Sequence, residues 1–175
     1  MFKTILAAVD GSGHGDLVAE KAGELAALSD ARLLIAHIAD PGAAHDDFEA
    51  LATAEHVGMP PHGELHPNIA RVPGWFDDAL RSVEGADSVH ELLEKLGTQV
   101  LQRAAFVAKQ DGATNVEVIL EHGNIASRLL EIASREGVDL IVLGSRGLGR
   151  IKEILLGSVS QKVVMMAHCP CLIVK

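Results

Sequence analysis

The sequence predicts an α/β fold, an open sheet of five parallel strands with helices on both faces. Five short apolar runs alternate with segments of helical periodicity. The runs are near-continuously apolar, as strands covered on both faces must be. Short links between the elements favour crossovers from strand through helix to the next parallel strand. A chain of 175 residues, 48% of them apolar, can bury such a sheet in a single domain spanning 1–175.

The strands are expected at "KTILAAV" (3–9), "ARLLIAHI" (31–38), "NVEVIL" (115–120), "DLIVLG" (139–144) and "CLIVK" (171–175). In the first helix Leu17, Lys21, Leu25 and Leu28 share a face, with Val18 and Ala22 beside them. A second helix starts near Ser88 and carries a stripe of Leu93, Leu96, Val100 and Val107. The third uses Ile125, Leu129, Ile132 and Ala133 behind an Asn124 cap. The fourth uses Val159, Val163 and Ala167, and Pro170 stops it.

Residues 40–88 break the rhythm, holding five of the six prolines and four of the nine histidines. They read as an insertion between strand 2 and helix 2, with two short helices joined by a Pro-rich link, since "HDDFEALATAEHV" and "GWFDDALRSV" have partial helical spacing (Phe76, Leu80 and Val83 in the second). His45, His56, His62 and His66, with Asp46, Asp47, Glu49, Glu55 and Glu64, fit no zinc spacing, so a solvated insertion is the expectation. Its position after strand 2 suits a lid.

A net charge of −9 argues against nucleic acid and anionic membrane as partners, because both need a basic face. No stretch has the length of a membrane span, and "MFKTILAAVD" lacks a signal-peptide pattern. Cys169 and Cys171 flank Pro170 and are expected on opposite faces of an extended segment, unpaired, which suits the cytoplasm.

Two glycine turns follow strands. "VDGSGHGD" (9–16) resembles a dinucleotide fingerprint, but its last glycine falls at Gly15 and Asp16 takes the required place. It reads as a tight turn, with Ser12 capping the first helix and Asp16 favouring the helix dipole. In "GSRGLGRIKEILLGS" (144–158), Gly144 and Gly149 have P-loop spacing, yet Arg150 and Ile151 replace the Lys and the Ser or Thr that the chemistry needs. Backbone amides near Gly144 and Gly147 can still approach an anion, and Gly157-Ser158 opens a helix whose first amides favour phosphate. The nine residues 148–156 are the strap that lets the two donor groups meet. A plain turn followed by a helix cap stays open on these residues alone.

Gly144-x2-Gly147-x9-Gly157-Ser158 resembles the pattern of nucleotide-binding universal stress proteins. "ILAAVDGS", "LLIAHIAD", "EHGNIASRLLEIASREGVDLIVLGSRG" and "CPCLIVK" resemble further segments of that family in order, over about two-thirds of the chain. The resemblance implies strand order 3-2-1-4-5 (Rossmann-like, as in the adenine nucleotide alpha hydrolases), an adenine nucleotide at the carboxyl edge, and dimerisation through strand 171–175. The sequence reading meets it at one point: Asp10 ends the first strand and Gly144 the fourth, and a reversal of strand order would bring these ends together.

On the resemblance, Asp10 contacts the nucleoside or a bound Mg²⁺, whereas on the residues alone a turn acid is an equal reading. Ala8 and Val9 match an adenine pocket, and Ile38 a backbone contact to the adenine edge, which is compatible with its being core. His37 reads as a packed strand histidine. Leu143, Gly144, Arg146, Gly147, Gly157, Ser158, Val159 and Ser160 match phosphate and ribose contacts. Their plainer readings are turn residues, a solvated cation at Arg146 and a helix cap at Ser158. Gly123 borders the pocket in relatives or only turns the chain. The expectation is a cytoplasmic homodimer that binds ATP, ADP or AMP and signals through occupancy. Slow Mg²⁺-dependent ATP hydrolysis and a nucleotide-free interaction role are the alternatives.

Overall fold

The computed structural model describes residues 1–39, 89–145 and 156–175. The insertion 40–88, with its expected helices and histidines, and residues 146–155, with Arg146 and Gly147, lie outside the described residues, as does the side chain of Leu93.

The elements are β1 (Thr4–Ala8), α1 (Gly13–Ser29), β2 (Arg32–Ala39), α2 (Val89–Gln110), β3 (Val116–His122), α3 (Ile125–Arg135), β4 (Leu140–Gly144), α4 (Ser158–Met166) and β5 (Cys171–Val174). The strands form one parallel sheet in the order β3-β2-β1-β4-β5. From β1 the chain steps outward through β2 to β3, then returns to the other side of β1 for β4 and β5. Right-handed crossovers therefore put α1 and α2 on one face and α3 and α4 on the other.

Alternation along each strand divides the core accordingly. Ile5, Ala7, Leu33, Ile35, Leu140 and Val142 pack with Val18, Ala22, Ala26, Leu101, Ala104 and Ala108 on the α1–α2 face. Leu6, Leu34, Ala36, Ile38, Ile141 and Leu143 pack with Ala126, Leu129, Ile132 and Val163 on the α3–α4 face. Asn124 caps α3 by accepting from the Ser127 amide, as expected.

The expected inner face of α1 is wrong by about one position. Leu17 is 38% exposed and Leu28 75%, while Val18, Ala19, Ala22, Gly23 and Ala26 are buried. The cause lies across the helix pair. A Cβ on Gly23 would sit 2.7 Å from the carbonyl oxygen of Ala108 and 2.8 Å from its Cα, so the backbones of α1 and α2 almost touch there. Only glycine fits at the point of contact, the small Ala19, Ala22 and Ala26 flank it, and the leucines turn outward.

A second departure concerns the cysteines. Both side chains pack against the α3–α4 core cluster and not on opposite faces, because side chains of an extended segment alternate with a period of two and residues two apart, as Cys169 and Cys171 are, fall on the same side. Both are free thiols, and burial pushes both up from the ordinary thiol range.

At the opposite end of the sheet from the strand carboxyl ends, Arg32 joins β2 to its neighbours. It forms a two-point pair with Glu117 at 2.8 and 2.7 Å and reaches Glu136 at 3.1 Å. Arg32 holds the Glu117 carboxyl below its usual range, and Arg135 followed by Arg32 does so for Glu136.

Candidate functional site

Where strand order reverses, β1 and β4 run side by side while their following segments leave toward opposite faces, and a crevice opens beyond their carboxyl ends. Val9 and Asp10 follow β1 at this edge, and Gly144 ends β4 there, with Ser145 after it.

Gly11, at φ 82°, turns the chain out of β1. Asp10 closes this turn: its Oδ1 accepts from the Ser12 amide at 3.0 Å and from the Ser12 hydroxyl at 2.6 Å. Ser12 Oγ in turn accepts from Gly15 N at 3.2 Å and caps α1, as the sequence indicated. The second oxygen, Asp10 Oδ2, is buried and has no hydrogen-bond partner among the described residues. A buried carboxylate oxygen left this way is costly unless a donor or a cation meets it.

The far side of the crevice is built by the return of the chain after residues 146–155. Gly157 N donates to Ser145 O at 2.8 Å, and the buried Ser160 hydroxyl donates to Gly144 O at 2.7 Å. Ser145 N donates to Val174 O of β5. The start of α4 is thus clamped onto the end of β4, and the two glycine-bearing ends of the strap meet.

The cap of α4 is Gly157, with no side-chain cap bond; Ser158 is the first helical residue and does not serve as the cap. The backbone bonds also sort the amides. Those of Ser145 and Gly157 are engaged in the clamp. Those of Ser158, Val159 and Ser160 precede the first intrahelical bond, Gln161 N to Gly157 O, and stand at the positive end of the helix.

Beside β1, the backbone of β2 is left facing the crevice. Arg32 N bonds Lys3 O and Ala36 O accepts from Val9 N on the β1 side, while Leu33 N and Ala39 O bond toward β3. Neighbouring residues of a strand direct their backbone groups to alternate sides. The N–H and C=O of Ile38 therefore point toward the β1 side, past the place where β1 has ended. The side chains of Val9, Ile38 and Leu143 are buried in the core, and Ala8 is half-buried against it.

Gly123, at φ 119°, follows β3 on the same edge, and its N–H donates to Ala39 O at 3.0 Å. Of the expected site residues, Ala8, Val9, Asp10, Ile38, Leu143, Gly144, Gly157, Ser158, Val159 and Ser160 come from four elements or their ends and meet at this carboxyl edge, with Gly123 at its β3 side.

One contact had no sequence signal. Arg103 of α2 grips Asp16 in the first turn of α1 at 2.8 and 2.6 Å, beside a cleft lined by Val9, Gly11 and Gly15. Eighty-seven residues separate the pair, and no local pattern links them.

The universal stress protein family model matches residues 1–175. The chain is 33% identical over 175 residues to universal stress protein YxiE of Bacillus subtilis, covering all of both chains. It is 35% identical over 176 residues to a universal stress protein of Thermus aquaticus, encoded in the 3′ region of a QAH/OAS sulfhydrylase, again covering all of both. Among solved structures it resembles a universal stress protein in complex with cAMP, with a TM-score of 0.61 and 25% identity, covering 99% of this chain and 96% of the other. The sheet order, the clamp at its carboxyl edge and these full-length likenesses agree: the chain belongs to the universal stress protein family.

Proposed function

We propose that this protein binds ATP or a related adenine nucleotide in the crevice between β1 and β4 and signals stress through occupancy of that site. The observation that carries the reading is the clamp. Gly144 and Ser145 are bonded to Gly157 and Ser160, which leaves the amides of Ser158, Val159 and Ser160, ahead of the first intrahelical bond of α4, at the end of β4, the neighbour of β1. Such a cluster suits a phosphate tail. Gly144 and Gly157 keep side chains out of the approach, and Arg146 and Gly147 complete this loop in the proposal.

The Ile38 N–H and C=O, side by side past the end of β1, complement the acceptor and amino donor on the adenine edge. Ala8, Val9 and Gly123 border the base, and Leu143 backs the loop. The cAMP complex of a 25% identical relative supports an adenine nucleotide as the ligand class. Asp10 fits Mg²⁺ carried by the nucleotide, since its buried Oδ2 has no hydrogen-bond partner among the described residues and Mg²⁺ uses one or two carboxylates plus phosphates and water.

We read the chain as one domain acting in the cytoplasm as a homodimer. Among the described residues β5 pairs with β4 alone at the sheet edge, and Leu172, Val164 and Met165 nearby are exposed, so a second copy would cover them. Free thiols suit a reducing compartment.

Calorimetric titration of nucleotide-free protein with ATP, ADP and AMP tests the reading, and saturable binding with one site per chain is the expected result. Absence of binding would favour a nucleotide-free interaction protein. Multiple-turnover phosphate release abolished by Asp10→Ala would replace the binding role with hydrolysis.

A further inference from the structure

His37 lies next to Ile38 on β2, and its side chain falls on the α1–α2 face of the sheet. Its Nδ1 is 2.9 Å from the carbonyl oxygen of Val9, the residue that precedes Asp10. A carbonyl only accepts, so Nδ1 carries the proton and donates. The ring rests in a notch of α2: a Cβ on Gly97 would lie 3.0 Å from His37 Cδ2 and 2.6 Å from Leu120 Cδ1.

This contact holds the chain where it leaves the sheet. Regular β1 ends at Ala8, and Val9 N makes the last rung to Ala36 O. From there the chain must depart and turn at Gly11 while keeping Asp10 at a fixed height over the crevice. The imidazole ties the Val9 carbonyl to β2 just where the ladder runs out. Flanking bonds then fix Asp10 from both sides, with Val9 held by β2 and Asp10 Oδ1 held by Ser12. Gly97 is the site in α2 without a side chain that would push the ring off this acceptor.

We propose that His37 is a positioning residue of the site, whose Nδ1–H holds the Val9 carbonyl and thereby the turn that presents Asp10. The proposal rests on the nucleotide reading above for its functional consequence, but the hydrogen bond itself is testable without a ligand.

His37→Phe keeps a planar ring and removes the donor, whereas His37→Asn places an amide N–H where Nδ1 stood. With ATP as the probe, His37→Phe should weaken affinity on the order of five- to tenfold, the size of one neutral hydrogen bond. His37→Asn should recover most of it. If both variants bind like the wild type, or both are weakened alike, the donor role is wrong while the nucleotide reading stands. If the wild type binds no nucleotide, that reading fails, and amide exchange at Gly11 and Ser12 decides this one. Exchange faster in His37→Phe than in the wild type and His37→Asn supports it, and equal exchange overturns it. Should His37→Phe not fold, the ¹⁵N shifts of the wild-type imidazole decide: a protonated Nδ1 supports donation to Val9, and an unprotonated one overturns it.

Discussion

Replacing Gly23 by alanine tests the frame on which the site is mounted. The new methyl would stand 2.8 Å from the Cα of Ala108, about 0.7 Å inside the ordinary carbon–carbon separation of about 3.5–4.0 Å. It would also meet the carbonyl carbon at 3.1 Å and the oxygen at 2.7 Å. All three atoms are backbone, so no rotamer change relieves the contact and α2 must move bodily from α1. Such overpacking costs about 1–3 kcal/mol. Alanine gains about 0.8–1.0 kcal/mol of helix propensity over glycine. With every contact to backbone the upper part of the overpacking range, about 2–3 kcal/mol, applies, so the net expectation is a loss of about 1–2 kcal/mol, or roughly 2–8 °C in Tm for a chain of this size. Urea unfolding reads it as a lower midpoint at unchanged slope. Gly13→Ala, where a Cβ meets nothing within 4 Å, is the control in the same helix and should not destabilise. A Gly23→Ala protein as stable as the wild type would mean that α1 and α2 do not cross this closely, and the explanation for the outward leucines would fall.

Three further outcomes follow from the site and its support. Gly157→Val should fold normally, because φ −66° at Gly157 suits any residue, yet lose more than tenfold in ATP affinity by filling the helix end, about 1.4 kcal/mol or more; unchanged calorimetric affinity would remove the loop from the binding reading. Ser160→Ala breaks the bond to Gly144 O and should cost about 1 kcal/mol in urea unfolding together with a measurable drop in ATP affinity; no change in either would show that the clamp does not hold the strap. Glu117 and Glu136 have folded pKa values below the ordinary glutamate value of about 4.3. Their stabilisation is therefore complete above that value and is lost as pH falls through the lowered ones. The Tm difference between wild type and Arg32→Gln should accordingly be largest near neutrality and shrink below about pH 4; a difference that grows on acidification would contradict the sign.

Much of the fold was legible because its signals are local. The apolar runs of β1, β2, β4 and β5 lie within a residue of where they were expected, and β3 extends two residues further, through His122. Both of its last residues, Glu121 and His122, are polar, and their inclusion depends on pairing with Ile38 and Ala39. Caps at Ser12 and Asn124 were equally readable, since each is a side chain bonding an amide three residues on. The glycine spacing after β4 pointed to the strap, and the clamp between Gly144, Ser145, Gly157 and Ser160 accords with it.

The sequence by itself determined the class of fold, the order of its elements and the segments that end at the crevice, because periodicity, turn chemistry and motif spacing act over a few residues. Tertiary structure decided which face of α1 goes inward, which amides flanking the strap are engaged in the clamp, and that Arg103 meets Asp16 and His37 meets Val9. Each of those depends on the distance between two backbones brought together from far apart in the chain. A window of residues has no access to such a distance; it emerges only when the sheet and its helices have packed.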